Sequence, residues 1–301
     1  RISMDRVEGY RNFINKLWNA SRFSLMNLEG FDANRFDDLM RKGAIKKGGE
    51  FEMDLAGRWI LSRLQRLAAE VDEALCGFKF SEAANALYHF VWGEFCDWYI
   101  EISKPALRAE GDQRFIAQGV LVTVLENALR LLHPMIPYVT EEIWQKLPKP
   151  STMNGSIMLS MYPVCNQALV DEEAEREMGL VQDVIVAART LKATYHVPPA
   201  QKIEIEVRAP QAGDRAVLEA NLATIETVGR LQVKVAASGE HIPQSAKTIV
   251  GADIEVVVPL AGLVDIDAEK ARIQKEIKKA EKEVAGIEKK LSNQNFLARA
   301  P

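Results

Sequence analysis

The sequence predicts a mainly α protein: a helix bundle, then a small α+β unit, then a single coiled-coil helix. Three observations predict it. Apolar residues recur at helical spacing through most of residues 1–147. From about residue 151 short alternating runs appear, as half-exposed strands require. Near the end the apolar spacing becomes 4, 3, 4, 3, 4, a heptad seam. The expected divisions are 1–150 for the bundle, 151–262 for a last bundle helix plus the α+β unit, and 263–301 for the coiled-coil helix.

In chain order, helices are expected over about Arg6–Asn27, Leu55–Cys76, Glu82–Ile102, Arg114–Leu132 and Glu141–Lys146. Gly43–Gly49 reads as a loop, and Asp54 and Ser81 as N-caps. Lys104-Pro105 and His133-Pro134 read as helix ends, because proline disfavours helix in the residue before it. Met158–Met161 reads as a short strand. Glu172–Tyr195 is a further amphipathic helix, stopped at Val197-Pro198-Pro199. Lys202–Val207, Leu231–Val235 and Ile254–Val258 are strands, with one helix over Asp214–Thr227. In the tail Ile273, Ile277, Ala280, Val284, Ile287 and Leu291 form the seam, and Ser292–Asn295 the turn that ends it. A single such helix cannot bury its seam, so a returning antiparallel helix is expected beyond Pro301. Without one, the stripe frays, packs on the body or self-associates.

Composition narrows the function classes. The 301 residues are 48% hydrophobic and 27% charged, as in ordinary globular proteins. No run of about 18 apolar residues is read, and no membrane partner is expected. The first six residues hold no signal core, and both ends read as those of a piece cut from a longer chain. Cys76, Cys96 and Cys165 show no paired spacing, so no disulfide framework or metal site is expected, and a reducing cytoplasm fits. A net charge of −4 excludes a generally basic nucleic-acid binder, DNA included, so any RNA contact must come from a local patch.

The first helix offers such a patch. On a helical wheel Tyr10, Phe13, Ile14, Leu17, Trp18 and Leu25 share one face. Arg11, Asn12, Asn15, Lys16, Asn19, Arg22 and Phe23 share the other. Asparagine is a mediocre helix former, so three on one face call for a reason. Amides can bond splayed base edges, cations can hold phosphates, and a ring can stack on an unstacked base. The same face also has a plain reading, as a solvated surface with polar bonds between helices. Phe23 fits either an exposed ring or a core position on a wide apolar arc. Lysines and one arginine flank the tail seam, among them Lys270, Arg272, Lys275, Lys278, Lys279, Lys282, Lys289 and Lys290.

Elsewhere the plain readings stand. Phe95–Glu101 is expected as bundle core with Asp97 or Glu101 as buried partners. His133 is expected as a capping residue, His89 as a satisfied interior histidine, and Thr140 as an N-cap before Glu141 and Glu142. The basic loop Lys42–Lys47 is expected to be solvated.

Gly9–Phe23, reading Gly-Tyr-Arg-Asn-Phe-Ile-Asn-Lys-Leu-Trp-Asn-Ala-Ser-Arg-Phe, closely resembles the opening helix of the anticodon-binding domain of valyl-tRNA synthetases. Arg58–Leu64, Phe90–Tyr99 and Leu131–Trp144 follow in the family's order. The isoleucine and leucine enzymes share the last pattern loosely and remain an alternative. A coiled-coil interaction module without RNA binding is another, since heptads mostly mean helix pairing.

The resemblance implies an anticodon-binding bundle, with the tail as the start of an arm that meets the outer corner of tRNA. It implies valine-specific tRNA as partner, with Arg11, Asn12, Asn15, Lys16, Asn19, Arg22 and Phe23 at the anticodon. Lys275, Lys278, Lys279 and Lys282 would lie on phosphates of the tRNA corner. The whole enzyme, expected to be monomeric, joins valine to tRNA using ATP and magnesium. The family's HIGH-type and KMSKS-type sequences do not occur here. The chain itself is therefore expected to hold no catalytic residue, no cofactor and no metal.

Overall fold

A computed structural model describes residues 4–153, 155–263 and 266–292. It is mainly helical with a small sheet, as the apolar periodicity requires. Two compact units divide the chain, Arg1–Leu180 and Val181–Pro301.

The first unit is a helix bundle. It begins with α1 (Met4–Asn27) and α2 (Ala33–Arg41). Two-residue strands β1 (Ile45–Lys46) and β2 (Phe51–Glu52) pair where a loop was expected. α3 (Leu55–Cys76) starts at Asp54, whose carboxylate accepts the Gly57 N–H at 2.7 Å as an N-cap should. α4 (Phe80–His89) starts at Lys79 without a side-chain cap, so Ser81 lies inside the helix rather than at its cap. A π-helical stretch, Phe90–Tyr99, then runs directly into α5 (Ile100–Arg108). Pro105 lies inside α5 and does not end it. Its ring costs one backbone bond of a single turn, while Ile102, Ser103, Ala106 and Leu107 hold that turn in the core.

α6 (Gly111–Leu132) is the axis of the bundle. It is long and apolar enough to cross a membrane, contrary to the expectation that no such run exists, and 78% of its most apolar window is buried inside the protein. A helix apolar on every side is a core helix when neighbours surround it. Gly119 lets α2 approach, because a Cβ there would lie 2.0 Å from the Phe36 ring. His133 follows the last turn, as expected, and its Nδ1 lies 2.8 Å from Thr140 Oγ1. α7 (Pro137–Trp144) begins at the proline, a favoured first position. Thr140 is therefore a buried interior residue, bonding back to the Ile136 carbonyl, and not the N-cap.

Residues 156–161 form no strand. Ser156 caps a single 3₁₀ turn, Ile157–Leu159, and Met158, Leu159 and Met161 all face solvent, which breaks the alternation a strand needs. Acidic residues open α8 (Glu172–Thr194), and Arg58 binds Asp171 and Glu177 at 2.8 and 3.3 Å.

The second unit holds the later turns of α8 and a four-stranded sheet of order β4-β3-β6-β5. β3 (Ile203–Arg208) and β4 (Leu231–Ala236) are parallel, joined through α9 (Ala212–Ala220) and α10 (Leu222–Gly229). The single helix expected there breaks at Asn221, whose amide donates to the Val217 carbonyl at 2.8 Å and competes with the ladder. β5 (Ser245–Val250) and β6 (Ile254–Pro259) form an antiparallel hairpin around Gly251 at φ 61°. β5 was not expected. It turns only Ala246, Thr248 and Val250 inward, a weak apolar signal. α11 (Ile266–Leu291) matches the heptad segment, and Ile277, Val284, Ile287 and Leu291 are more than half exposed. The side chains of Ile273, Lys289 and Lys290, and residues 293–295 of the expected turn, lie outside the described residues.

Candidate nucleic-acid interface

α1 is held to the bundle by a narrow stripe: Phe13, Leu17, Ala20, Ser21 and Ser24 are buried, as is Leu28 just past its end. Ser21 and Ser24 donate to the Leu17 and Ala20 carbonyls at 2.8 and 2.9 Å, so their hydroxyls enter the core satisfied. Phe13 stacks on Tyr88 at 5.2 Å, and Tyr88 on Trp92 at 5.6 Å.

The opposite side carries Arg11, Asn12, Asn15, Asn19 and Arg22, all exposed. Arg11 pairs with Glu8 at 3.0 Å, an exposed contact that costs little to break. Among the described residues, Asn12, Asn15, Asn19 and Arg22 have no hydrogen-bond or ion-pair partner. From Arg11 to Arg22 the strip runs about 16 Å along the axis.

Two expected members sit differently. Lys16 is half-buried, ion-paired with Asp97 and 4.0 Å above the Trp92 ring, so it ties α1 to the π-helical stretch. Phe23 is half-buried, with the Lys104 ammonium 5.8 Å from its ring centroid. Neither lies fully on the open strip. Conversely, three residues read as inward-facing are exposed: Tyr10 at 64%, Trp18 at 38% and Ile14 at 36%. Trp18 flanks the strip one turn before Arg22, so it offers the stacking ring that Phe23 was expected to supply. Its place between Arg11 and Arg22, seven before and four after, was the available sign.

The other expected sites resolve plainly. Asp97 and Glu101 are exposed partners of Lys16 and Lys104, not buried ones. His89 is exposed rather than interior. Lys42 and Lys47 pair with Asp38 and Glu173 at 2.6 and 2.7 Å. Cys96 is buried, and desolvation pushes its thiol up to about 12. No cluster of metal-binding side chains occurs among the described residues.

On α11, Lys275, Lys278, Lys279 and Lys282 are exposed, and among the described residues none has a partner. Arg272 pairs with Glu276 at 2.6 Å. Four free ammonium groups over two turns can hold phosphates without reading sequence.

Comparison with known proteins bears on both surfaces. Residues 57–207 match the model of the anticodon-binding domain of tRNA ligase, and residues 265–301 that of the valyl tRNA synthetase tRNA binding arm. The first match begins after α1, whose strip therefore rests on its own geometry. Curated relatives named valine--tRNA ligase are similar along the whole chain: 44% identical in Syntrophotalea carbinolica, 41% in Nitratidesulfovibrio vulgaris and 40% in Geobacter sulfurreducens. The chain spans about a third of their length, 32% of the first and 33% of the other two. With half of its residues inside one family model and its tail inside a second, the chain belongs to the anticodon-binding domain family of tRNA ligases.

Proposed function

We propose that this chain is the tRNA-recognition region of a valine--tRNA ligase and binds valine tRNA. The α1 strip grips unstacked bases of the anticodon loop, while the α11 lysines hold backbone phosphates. The longer protein joins valine to that tRNA using ATP and magnesium in the cytoplasm, and this chain adds recognition without chemistry. The names of its relatives support valine over isoleucine or leucine. The single observation that carries the reading is the α1 strip: unpartnered amides and a guanidinium beside an exposed tryptophan, on a helix otherwise locked into a bundle.

A gel-shift panel tests it. Valine tRNA should bind with an affinity that falls steeply as salt rises, and a copy with a swapped anticodon should bind at least tenfold more weakly. Equal binding of the two would refute base recognition. With valine and ATP the chain should give no pyrophosphate exchange, and clear exchange would mean that it carries the catalytic centre after all.

A further inference from the structure

The first unit contains a cleft of about 310 Å³ between the start of α3, α5 and the first turns of α6. Ala56, Ala106, Ile116 and Val120 give it an apolar wall. Its charged lining is of one sign: Glu52, Asp54 and Asp112, with no lysine, arginine or histidine among the described residues that line it. A concave apolar wall with a few polar groups gathered on it is the usual form of a small-molecule site.

Carboxylates at helix starts have a plain explanation, and it covers most of this set. Asp112 lies in the first turn of α6, where the helix dipole favours an acid, and Arg35 stands 3.9 Å from it. Glu52 accepts the Gly48 N–H at 2.6 Å. Asp54 caps α3 through Oδ1, and its Oδ2 has no hydrogen-bond partner among the described residues. The charge of Arg58 also acts on Asp54, but that guanidinium is taken up by Asp171 and Glu177.

Tyr99 has no such explanation. It comes from the π-helical stretch, is only 2% exposed and lines the cleft. Stacking on Phe95 at 6.2 Å fixes its ring. Among the described residues its hydroxyl has no hydrogen-bond partner, whereas the hydroxyl of Ser103, also in the lining, donates to the Ile100 carbonyl at 3.1 Å. Burial, and then the Asp54 charge, push the Tyr99 hydroxyl well above its ordinary range, so it stays protonated in the field of that carboxylate. A buried hydroxyl left unbonded lowers stability, and a ligand that bonds it recovers the loss.

We infer that this cleft binds a small aliphatic amine. The ammonium donates to Asp54 Oδ2 and to the Tyr99 hydroxyl oxygen, and the carbon chain lies along Ala106, Ile116 and Val120. Glu52 and Asp112 add the negative field that draws a cation in. The site lies wholly within the bundle and does not rest on the tRNA reading.

The full chain is titrated by calorimetry with 1,4-diaminobutane and with 1,4-butanediol, its neutral counterpart. The diamine should bind, and the diol at least about tenfold more weakly. Tyr99→Phe keeps the ring and removes the hydroxyl; it should weaken diamine binding about tenfold and leave the melting temperature unchanged or raised. Asp54→Asn removes the charge and keeps the cap, since asparagine caps a helix as well as aspartate. It should also weaken binding by at least about tenfold, with the circular dichroism unchanged. No binding of the diamine, equal binding of the diol, or parent-like affinity in either variant overturns the inference. So does a large fall in the melting temperature of Tyr99→Phe, because it would show that the hydroxyl already has a partner in the fold.

Discussion

Replacing the three strip asparagines with alanine should make the protein more stable and a worse RNA binder. Asn12, Asn15 and Asn19 are exposed, and among the described residues they have no partner, so nothing in the fold is lost with their amides. Alanine is the better helix former by about 0.5 kcal/mol per site, or about 1.5 kcal/mol for the three. For a unit of this size that is a rise of about 3–6 °C in melting temperature. If the amides bond base edges, the same change removes at least about 2 kcal/mol of binding, or about 30-fold in Kd. Thermal melts followed by circular dichroism and filter binding to valine tRNA read the two effects separately. Asn85→Ala on α4, also exposed, serves as the control and should leave binding unchanged. A fall in melting temperature would show that the asparagines hold the bundle together. Stabilisation with full RNA affinity would show that they are merely wet, and the α1 reading would be lost.

Two further perturbations test the packing of each unit. Gly119→Ala forces a methyl group against the Phe36 ring, 2.0 Å away before any adjustment, and should cost about 2–3 kcal/mol in chemical denaturation; adding Phe36→Leu should recover part of that loss. In the sheet, Lys234, Glu206, Arg208, Glu255 and Lys247 form a ladder of charge across all four strands. The Arg208 hydrogen bond, first, holds the Glu206 carboxyl below its ordinary pKa, and Lys247 does the same for Glu255. Depressed folded-state values mean stability that is present above the ordinary glutamate pKa of about 4.3 and is lost as pH falls through the folded values. Arg208→Ala should lower stability at pH 7, because it leaves Glu206 without the partner that holds its carboxylate most strongly. It should also flatten the acid dependence between pH 5 and 3, about the range of carboxylate titration; an unchanged acid profile would remove the ladder as its cause.

What the sequence disclosed and what it hid follow from the physics of each element. Helical periodicity located α1, α3, α6 and α8 closely, because each buries a long run against neighbours. On α1 the wheel misjudged the inner stripe, since it scored residues by polarity. The real stripe closes through Ala20, Ser21 and Ser24, small enough for close approach, with hydroxyls satisfied on their own helix. Once these three carry the contact, the helix turns, and Trp18 swings out beside the amides. Proline rules failed at Pro105 because core contacts hold its turn, and pattern rules failed at β5 because an edge strand that buries only Ala, Thr and Val needs little apolar signal. Long-range partners were invisible in the same way. Lys16 meets Asp97, and Tyr99 shares a cleft with Asp54, across separations that no local spacing encodes. Local chemistry therefore identified which residues were costly to keep on α1, while tertiary packing decided which of them were free to bind. A surface earns a functional reading when both hold: residues that weaken the helix, left without partners by the fold. Asn12, Asn15 and Asn19 meet both conditions, whereas Lys16, occupied by Asp97 and Trp92, meets neither.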